Sequence, residues 1–308
     1  MSRTKVAVIG VGYLGEFHAQ KYYKSQSADL IGIVDTNEQR CSKISKKINV
    51  NTYHNFKDII NYVDAVSIVV PTNLHFKIAK YFIQNKKHVL IEKPFTSNLK
   101  EARALKKLSE ENNVILQIGH LERFNKAYTK LSEQIKRPMF IECNRISPFK
   151  IRGTEVDVIM DLMIHDLDII ISLNNSKIKS IQSNGINVLT SSIDIAHARI
   201  LFDNGCVCNL SSSRISDKVE RKMRVFQKNE YYSLDYQNSI LDSYKKVKKD
   251  SILSIEKYQE KFSGNDSLKE EIESFLHCIN NEKRPIVNAD DGINALQYAL
   301  KISKIIKK

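Results

Sequence analysis

The feature that most constrains the fold is a glycine pattern at the end of the first apolar run. The stretch "KVAVIGVG", residues 5–12, is rich in β-branched residues, and the following "YLGEFHAQKYYKS" has helical spacing. Gly10, Gly12 and Gly15 form G-x-G-x-x-G at this junction, and Asp35 ends the next buried run twenty residues after Gly15. In this context the pattern predicts a dinucleotide-binding strand–helix–strand unit. Glycines that only turn a strand into a helix remain the alternative.

The first 120 residues continue to alternate apolar runs with amphipathic segments. The apolar runs are "ADLIGIVD", "VDAVSIVVPT", "HVLIEKP" and "NVILQIGH". Short continuous apolar strands separated by helices are typical of a parallel sheet that is covered on both faces. We therefore expect an α/β Rossmann domain over residues 1–122.

From about residue 138 the pattern changes. A helix is predicted over 155–173, and alternating runs such as "SIQSNGINVL", "DIAHARILFDNG", "CVCNLSSSR" and "RKMRVFQKNEYYSLDY" follow without helices between them. Two late helices are predicted to start at Asp266 and Asp290 as capping residues. We expect an α+β domain with a mainly antiparallel sheet over 123–308, whose C-terminal helix could pack back on the first domain.

The charge of the chain is strongly positive, with 48 Lys and Arg against 35 Asp and Glu and a formal net charge of +13. Binding to nucleic acid would need clustered cations, whereas here the lysines are spread along the chain. The densest runs, "YKKVKKD" at 244–250 and "KISKIIKK" at the C-terminus, are interpreted as a solvated loop and a helix end. We expect no nucleic-acid partner.

Hydropathy and cysteine usage favour a soluble cytoplasmic protein. The sequence has no run of eighteen apolar residues, and "MSRTKVAVIGVG" leads directly into a strand-like run rather than a signal-peptide core. The five cysteines are scattered, and "CVC" is interpreted as a pair on one face of a strand. Neither a metal, a disulfide nor a membrane partner is expected.

The apolar stretch "DLMIHDLDII", residues 161–170, carries charged groups that an ordinary buried helix would not need. Asp161, His165 and Asp168 fall at i, i+4 and i+7, so a helix would place them on one face. We predict that this stripe faces a catalytic crevice. A core histidine with capping aspartates is the alternative. Lys93 in "HVLIEKPF" follows a strand and should point into a ligand crevice, although a plain surface lysine is the default interpretation.

At these residues the chain resembles the Gfo/Idh/MocA family of oxidoreductases. The resemblance covers the glycine pattern, "VPTNLH" at 70–75, "EKP" at 92–94, "GHLERFN" at 119–125, and Asp161 with His165. It implies an N-terminal Rossmann domain and a C-terminal domain whose open sheet serves dimer or tetramer contacts. It also implies hydride exchange between a nicotinamide and a sugar or polyol carbon.

The resemblance also implies roles for individual residues. Lys93 and His165 correspond to the catalytic pair, and Asp161 to the residue that positions His165 or the substrate. Whether Lys93 or His165 takes the proton stays open. The residues that correspond to the cofactor site are Gly10, Gly12, Tyr13, Leu14, Gly15, Asp35, Thr72, Asn73, His75, Glu92 and Lys93.

Asp35 bears on the choice of cofactor. A carboxylate at this place accepts hydrogen bonds from a ribose diol and repels a 2′-phosphate, so NAD is favoured over NADP. Arg40 lies nearby and weakens that preference without reversing it.

The substrate is predicted from two segments, one that precedes the His165 helix and one that leads into it. "GHLERFN" and the run from Arg145 to Ile170 resemble the nucleotide-sugar branch of the family, which implies C3 oxidation of UDP-N-acetylglucosamine. Arg123, Arg145, Lys150 and Arg152 could meet a diphosphate. The predicted substrate site comprises Arg123, Arg152, Asp161 and His165. An inositol, free-sugar or other polyol dehydrogenase is the alternative, and a non-catalytic NAD-sensing protein is a second one.

Overall fold

The computed structural model describes residues 3–150, 156–249 and 252–307, which form two compact units. The first contains the described residues up to Leu121 together with Asp266–Ile293. The second contains Glu122–Asn265 and the described residues from Asn294 onward, so the division falls within the last helix. The assignment of functional domains to residues 1–122 and 123–308 stays a prediction.

The first unit is a parallel sheet whose strands alternate with helices. Its elements are β1 Thr4–Ile9, α1 Tyr13–Lys24, β2 Ala28–Val34, α2 Glu38–Ile48, β3 Asn51–Tyr53, β4 Ala65–Ile68, α3 Thr72–Gln84, β5 His88–Glu92, α4 Leu99–Glu111 and β6 Leu116–Gly119. The strand order is β3-β2-β1-β4-β5-β6, and all pairs are parallel. The order reverses between β1 and β4, and ligands bind beyond the strand ends at such a point. The predicted Rossmann fold is confirmed.

The core of the first unit also includes a helix from late in the chain. Helix α7, Ser267–Asn280, buries Ile272, Phe275 and Leu276 in the same apolar cluster as Val8 and Tyr22. The buried stripe of α1 contains Gly15, His18, Ala19 and Tyr22, at helical spacing.

The second unit contains an eight-stranded sheet. Its elements are a 3-10 helix Leu121–Phe124, α5 Lys126–Gln134, β7 Phe140–Ile146, a π-helix Ile159–Met163, α6 Ile164–Leu173, β8 Ile178–Ile186, β9 Ile195–Phe202, β10 Val207–Ser213, β11 Glu220–Gln227, β12 Glu230–Asp235, β13 Ile240–Lys249, β14 Ile252–Lys261 and most of α8 Ala289–Ile306. The order is β14-β13-β12-β11-β7-β10-β9-β8. Only β7 and β10 pair in parallel among these described strands. The prediction of a mainly antiparallel sheet is confirmed.

The interpretation of residues 244–250 as a solvated loop is wrong. Residues up to Lys249 belong to β13, which pairs with β12 on one side and β14 on the other, so its main-chain groups are satisfied in the sheet. Tyr244 stacks on Tyr231 with ring centroids 4.9 Å apart, while Lys246 and Lys248 are exposed at alternate positions. Successive side chains of a strand point to opposite faces of the sheet, but the many lysines in this segment masked that alternation in the sequence.

The two predicted caps have different outcomes. Asp266 caps α7, since its carboxylate accepts a hydrogen bond from the Lys269 N–H at 3.1 Å. The prediction of Asp290 as a cap is wrong. Asn288 Oδ1 accepts from the Asp290 N–H at 2.8 Å, while Asp291 accepts from the Asn288 N–H at 2.9 Å. This reciprocal pair is a capping-box arrangement, which starts α8 two residues earlier than predicted.

Two further observations bear on the sequence predictions. Within the described ranges, no helix is long and apolar enough to cross a membrane. All five cysteines are buried free thiols, and the sulfur atoms of Cys206 and Cys208 lie 4.0 Å apart.

Candidate active site

The glycine loop after β1 has a separate steric reason for each glycine. Gly10 has φ +88°, and a Cβ there would lie 2.5 Å from the carbonyl oxygen of Val69. A Cβ on Gly15 would lie 1.9 Å from the Gly10 carbonyl oxygen, whereas nothing lies within 4 Å of one on Gly12. Gly12 precedes α1, whose N-terminus has no side-chain cap. This open helix N-terminus fits an anionic group such as a pyrophosphate.

Asp35 lies at the end of β2, beside this loop. Its Oδ2 accepts a hydrogen bond from the Val11 N–H at 2.9 Å, and its Oδ1 accepts from the Asn37 N–H at 2.9 Å. The side chain is 10% exposed, and Arg40 Nη1 lies 3.2 Å from Oδ2. The carboxylate is thus fixed at the end of β2 by two main-chain N–H groups. Arg40, whose side chain is 48% exposed, thus pairs with Asp35, and its effect on the choice between NAD and NADP stays a prediction.

The start of α3 contributes Thr72, which is half-buried, and Asn73, which is exposed. The ring of His75 is instead buried between main-chain carbonyl groups. Its Nε2 lies 2.8 Å from the Val70 oxygen and its Nδ1 lies 2.9 Å from the Pro94 oxygen. Burial lowers the pKa of His75. The imidazole therefore joins the loop after β4 to the loop after β5.

Glu92 and Lys93 end β5. Glu92 is 5% exposed, and its Oε1 lies 3.1 Å from Nε2 of His18 on α1. Its Oε2 accepts from the Lys93 N–H at 3.3 Å. Lys93 is half-buried, and the Lys93–Pro94 peptide bond is cis. The Glu92 carboxylate thus contacts His18 inside the first unit as well as the main chain at the end of β5.

The helix that carries Asp161 and His165 departs from the predicted continuous α-helix over 155–173. Residue 155 lies outside the described residues, Ile159–Met163 form a π-helix, and α6 begins at Ile164. Because a π-turn takes an extra residue, Asp161 is rotated relative to the i, i+4 position assumed from the sequence. Asp161 is half-buried and His165 is 8% exposed.

The prediction that Asp168 faces a crevice is wrong. Its carboxylate accepts two hydrogen bonds from Arg123, at 2.7 Å from Nε and 2.9 Å from Nη2. The Asp168 side chain is 1% exposed and that of Arg123 is 12% exposed. Two of the three guanidinium nitrogens are thereby committed to a carboxylate in the same unit.

The prediction that Arg145 meets a diphosphate is also wrong. Its side chain is 4% exposed and forms ion pairs with Asp166 and Glu122. Nε and Nη2 donate to Asp166 at 3.0 and 2.8 Å, and Nη1 donates to Glu122 at 2.8 Å. Burial works to lower the pKa of Arg145, but these carboxylates outweigh it and raise the pKa. The ring of Tyr236 lies 5.5 Å from the guanidinium carbon.

The remaining two members of the predicted basic set are Lys150 and Arg152. Lys150 is exposed, and Arg152 lies outside the described residues.

Two polar residues of the first unit were missed from the sequence. His18 and Glu271 are each 0% exposed, and both lie on apolar helix stripes. His18 is three residues after Gly15 in the buried stripe of α1, and Glu271 shares a face of α7 with Phe275 and Cys278. A charged residue at an apolar helical position was the signal that could have identified them.

Comparison with known proteins gives two family matches. Residues 4–120 match an "oxidoreductase family, NAD-binding Rossmann fold", and residues 150–302 match an "oxidoreductase family, C-terminal alpha/beta domain". The chain belongs to the Gfo/Idh/MocA oxidoreductase family. The resemblance stated from the sequence is confirmed.

Individual relatives agree with this assignment. The chain is 35% identical over 305 residues to a UDP-N-acetylglucosamine 3-dehydrogenase of Acidithiobacillus ferrooxidans, covering 98% of this chain and 97% of that protein. The solved structure of that enzyme superposes with a TM-score of 0.93 at 34% identity, covering 100% of this chain and 99% of the other.

More distant relatives act on inositols. A scyllo-inositol 2-dehydrogenase (NAD(+)) of Bacillus subtilis is 26% identical, covering 97% of this chain and 92% of that protein. A Lactobacillus casei scyllo-inositol dehydrogenase with bound NAD(H) and scyllo-inositol has a TM-score of 0.84 at 18% identity, covering 99% and 97% of the two chains, and it shows the shared fold. This member of the family is an oxidoreductase that acts on CH–OH groups, and that assignment replaces the NAD-sensing alternative.

Proposed function

We propose that this oxidoreductase uses NAD to oxidise the C3 hydroxyl group of UDP-N-acetylglucosamine. The observation that carries the proposal is the full-length similarity to a UDP-N-acetylglucosamine 3-dehydrogenase, at 35% identity against 26% for the scyllo-inositol enzyme. Inositol or polyol oxidation is the second candidate.

The residues around the glycine loop fit a dinucleotide. The open N-terminus of α1 at Gly12 would hold the pyrophosphate, and Asp35 would accept from the adenosine ribose. Thr72, Asn73 and Lys93 belong to the same proposed cofactor site. When bound, the nicotinamide accepts the hydride that leaves the sugar carbon.

The chain itself must remove the hydroxyl proton as the hydride leaves. We assign this task to Lys93 and His165, either of which can act as the general base. Asp161 is assigned to orient His165 or a substrate hydroxyl group. A histidine titrates near neutral pH without any shift, whereas a lysine needs a lowered pKa for the same task.

Recognition of the nucleotide diphosphate is assigned to cations that precede the His165 helix. Arg152 is the principal candidate, with exposed Lys150 beside it in sequence. Arg123 stays in the proposed set, with Asp168 holding its guanidinium in place. Arg145 is removed from the set, because its guanidinium group already donates hydrogen bonds to Asp166 and Glu122.

A substrate panel tests the proposal. The purified protein is given NAD with UDP-N-acetylglucosamine, free N-acetylglucosamine or myo-inositol, and NADH formation is followed. UDP-N-acetylglucosamine should react fastest. Free N-acetylglucosamine should be very poor in both kcat and KM, since the remote diphosphate supplies binding energy that aligns the reacting carbon. If myo-inositol or a free hexose reacts faster than any UDP-sugar, the polyol function replaces this one.

Two coarser proposals accompany this function. We propose a homodimer or homotetramer formed through the sheet of the second unit, and a cytoplasmic location. Sedimentation analysis of the purified chain tests the first, and cell fractionation tests the second.

A further inference from the structure

Three buried polar side chains converge inside the first unit. His18 comes from α1, Glu92 from the end of β5 and Glu271 from α7, and they are 0%, 5% and 0% exposed. One side-chain nitrogen or oxygen atom from each lies within 4.8 Å of the other two. The Glu92 carboxyl group also packs closely against β6, where a Cβ on Gly119 would lie 3.0 Å from the carboxyl carbon.

The hydrogen bonds of this cluster are unevenly distributed. Nε2 of His18 lies 3.1 Å from Oε1 of Glu92, whose Oε2 accepts from the Lys93 N–H at 3.3 Å. Neither carboxyl oxygen of Glu271 has a hydrogen-bond partner in the part of the chain that the structure describes, and neither does Nδ1 of His18. A buried carboxylate without partners is strongly disfavoured, so the charge of Glu271 must be accounted for.

Among the described residues, the polar groups of α1 and β6 do not supply that compensation. α1 contributes the neutral hydroxyl of Tyr22, which lies 2.7 Å from the Ser67 hydroxyl, as well as His18. β6 contributes the Gln117 amide, which donates to the main-chain oxygen of Glu271 at 3.1 Å rather than to its carboxyl group. Burial raises the pKa of Glu271 well above its usual range, and the negative charge of Glu92 adds to that effect.

We propose that His18, Glu92 and Glu271 form a buried site that retains one proton on Glu271 and leaves Glu92 as its single anion. In this arrangement His18 donates its Nε2–H to Glu92, and Glu92 also accepts from the main-chain N–H of Lys93. His18 and Glu271 are then positioning residues, which act on the reaction through the backbone that carries Lys93. This last role rests on the proposed function, because that function assigns Lys93 to proton transfer.

The proposed arrangement places a proton on Nε2 of His18, which distinguishes it from a metal site built on the same three residues. The ring nitrogen of His18 that faces the carboxyl groups is already at hydrogen-bond distance from Glu92. In the proposed tautomer Nε2 carries a proton, and that nitrogen would then be unavailable to a metal ion. The metal alternative is one outcome of the experiment below.

The first test uses thermal unfolding of the full chain as a function of pH. In the folded protein the pKa of Glu271 is above its unfolded value, so the folded state binds more protons and stability falls as pH rises between the two values. Glu271→Gln cannot titrate and should flatten this slope. Between the unfolded and the folded pKa of Glu271, only the folded wild type holds the proton. In that range the Tm of wild type should fall by roughly 3–5 °C for each unit by which the pH rises. Glu273→Gln, on the same helix and half-buried, is the matched control and should keep the wild-type slope.

The second test separates positioning from simple packing. Glu271→Gln preserves a neutral polar group and should keep kcat within about twofold, whereas Glu271→Leu should lower kcat by roughly 10–100-fold while the Kd for NAD changes little. If Glu271→Leu does not fold, the dependence of Tm on pH in the Glu271→Gln variant still tests the proposal.

Two results would overturn the proposal. One is a Glu271→Gln variant with the same dependence of Tm on pH as wild type. The other is a stoichiometric metal in the purified protein that raises Tm and is lost with Glu271→Gln. Neither measurement uses a sugar, so a protein inactive on UDP-N-acetylglucosamine would refute the proposed function and leave the buried proton standing.

Discussion

Removing the Arg145 guanidinium should destabilise the second unit without changing substrate recognition. Arg145 lies on the face of β7 that also buries Ile141 and Cys143, and it makes three hydrogen bonds to Asp166 and Glu122. Arg145→Met replaces the charged side chain with an apolar one of similar length. It leaves two carboxylates, each less than 10% exposed, without their cation.

The size of the effect follows from those contacts. Deleting one partner of a buried ion pair costs about 3–5 kcal/mol, mostly because the remaining charge is buried without compensation. For a unit of this size that loss corresponds to a fall in Tm of roughly 6–20 °C. Burial already raises the pKa of Asp166 against the charge of Arg145, so that pKa should rise further in the variant and the folded state would bind an extra proton. The deficit should therefore be smaller near pH 5 than near pH 8.

Urea unfolding of wild type and variant at both pH values measures the free energy of unfolding. Arg224→Met is the matched control, because Arg224 pairs with Glu142 on the same sheet but is 46% exposed, and its loss should cost about 1 kcal/mol or less. Adding Glu122→Gln and Asp166→Asn to Arg145→Met should recover part of the lost stability. A loss below about 1 kcal/mol for Arg145→Met, combined with a raised KM for a UDP-sugar, would refute the structural role and restore the diphosphate interpretation.

Four other predictions concern single sites. Asp35→Ser should increase the use of NADP relative to NAD, measured as the ratio of kcat/KM values, and a wild type that already prefers NADP would contradict it. Lys93→Ala and His165→Ala should each lower kcat by ~10²–10⁴ while NAD affinity is nearly unchanged; full turnover in both variants would exclude them as the base. Arg152→Ala should raise KM for the UDP-sugar without changing the Kd for NAD, and an altered NAD affinity would argue against a diphosphate role. For Asp194, burial works to raise the pKa, but a threonine hydroxyl and three main-chain N–H groups hold it at about 2, so Asp194→Asn should cost about 2 kcal/mol at pH 7. Because the wild-type carboxylate contributes fully above its unfolded pKa, this difference should shrink as pH falls from ~4 toward 2, and a pH-independent difference would contradict the linkage.

The parts of the fold that were predictable depend on local sequence signals. The glycine pattern, the run before it and Asp35 lie within about thirty residues, so spacing alone predicts their common site. Arg145 is different, because an arginine that binds a diphosphate and one that binds carboxylates look the same in sequence. Its partner Asp166 is 21 residues away, and Asp168 is 45 residues from Arg123.

Long-range pairing also explains the missed strand and the missed buried cluster. The lysines of β13 suggest solvent, but tertiary pairing with β12 and β14 determines the backbone conformation. Glu271 lies 179 residues after Glu92 in the sequence, so no local pattern could connect the two carboxyl groups. The apolar stripe of α7 indicated only that residue 271 would be buried.

The late position of α7 has a consequence for how the protein is made. The sheet of the first unit is complete in sequence by Gly119, but its apolar cluster lacks Ile272, Phe275 and Leu276 until α7 has been synthesised. While Glu122–Asn265 is being translated, the growing Rossmann sheet has an apolar surface that its own segment does not cover. Contacts this distant in sequence form slowly, and exposed apolar surface favours aggregation during that interval. Release of a nascent chain before Ser267 should therefore leave the apolar cluster of the first unit without α7, so the first unit matures only after most of the second has been translated.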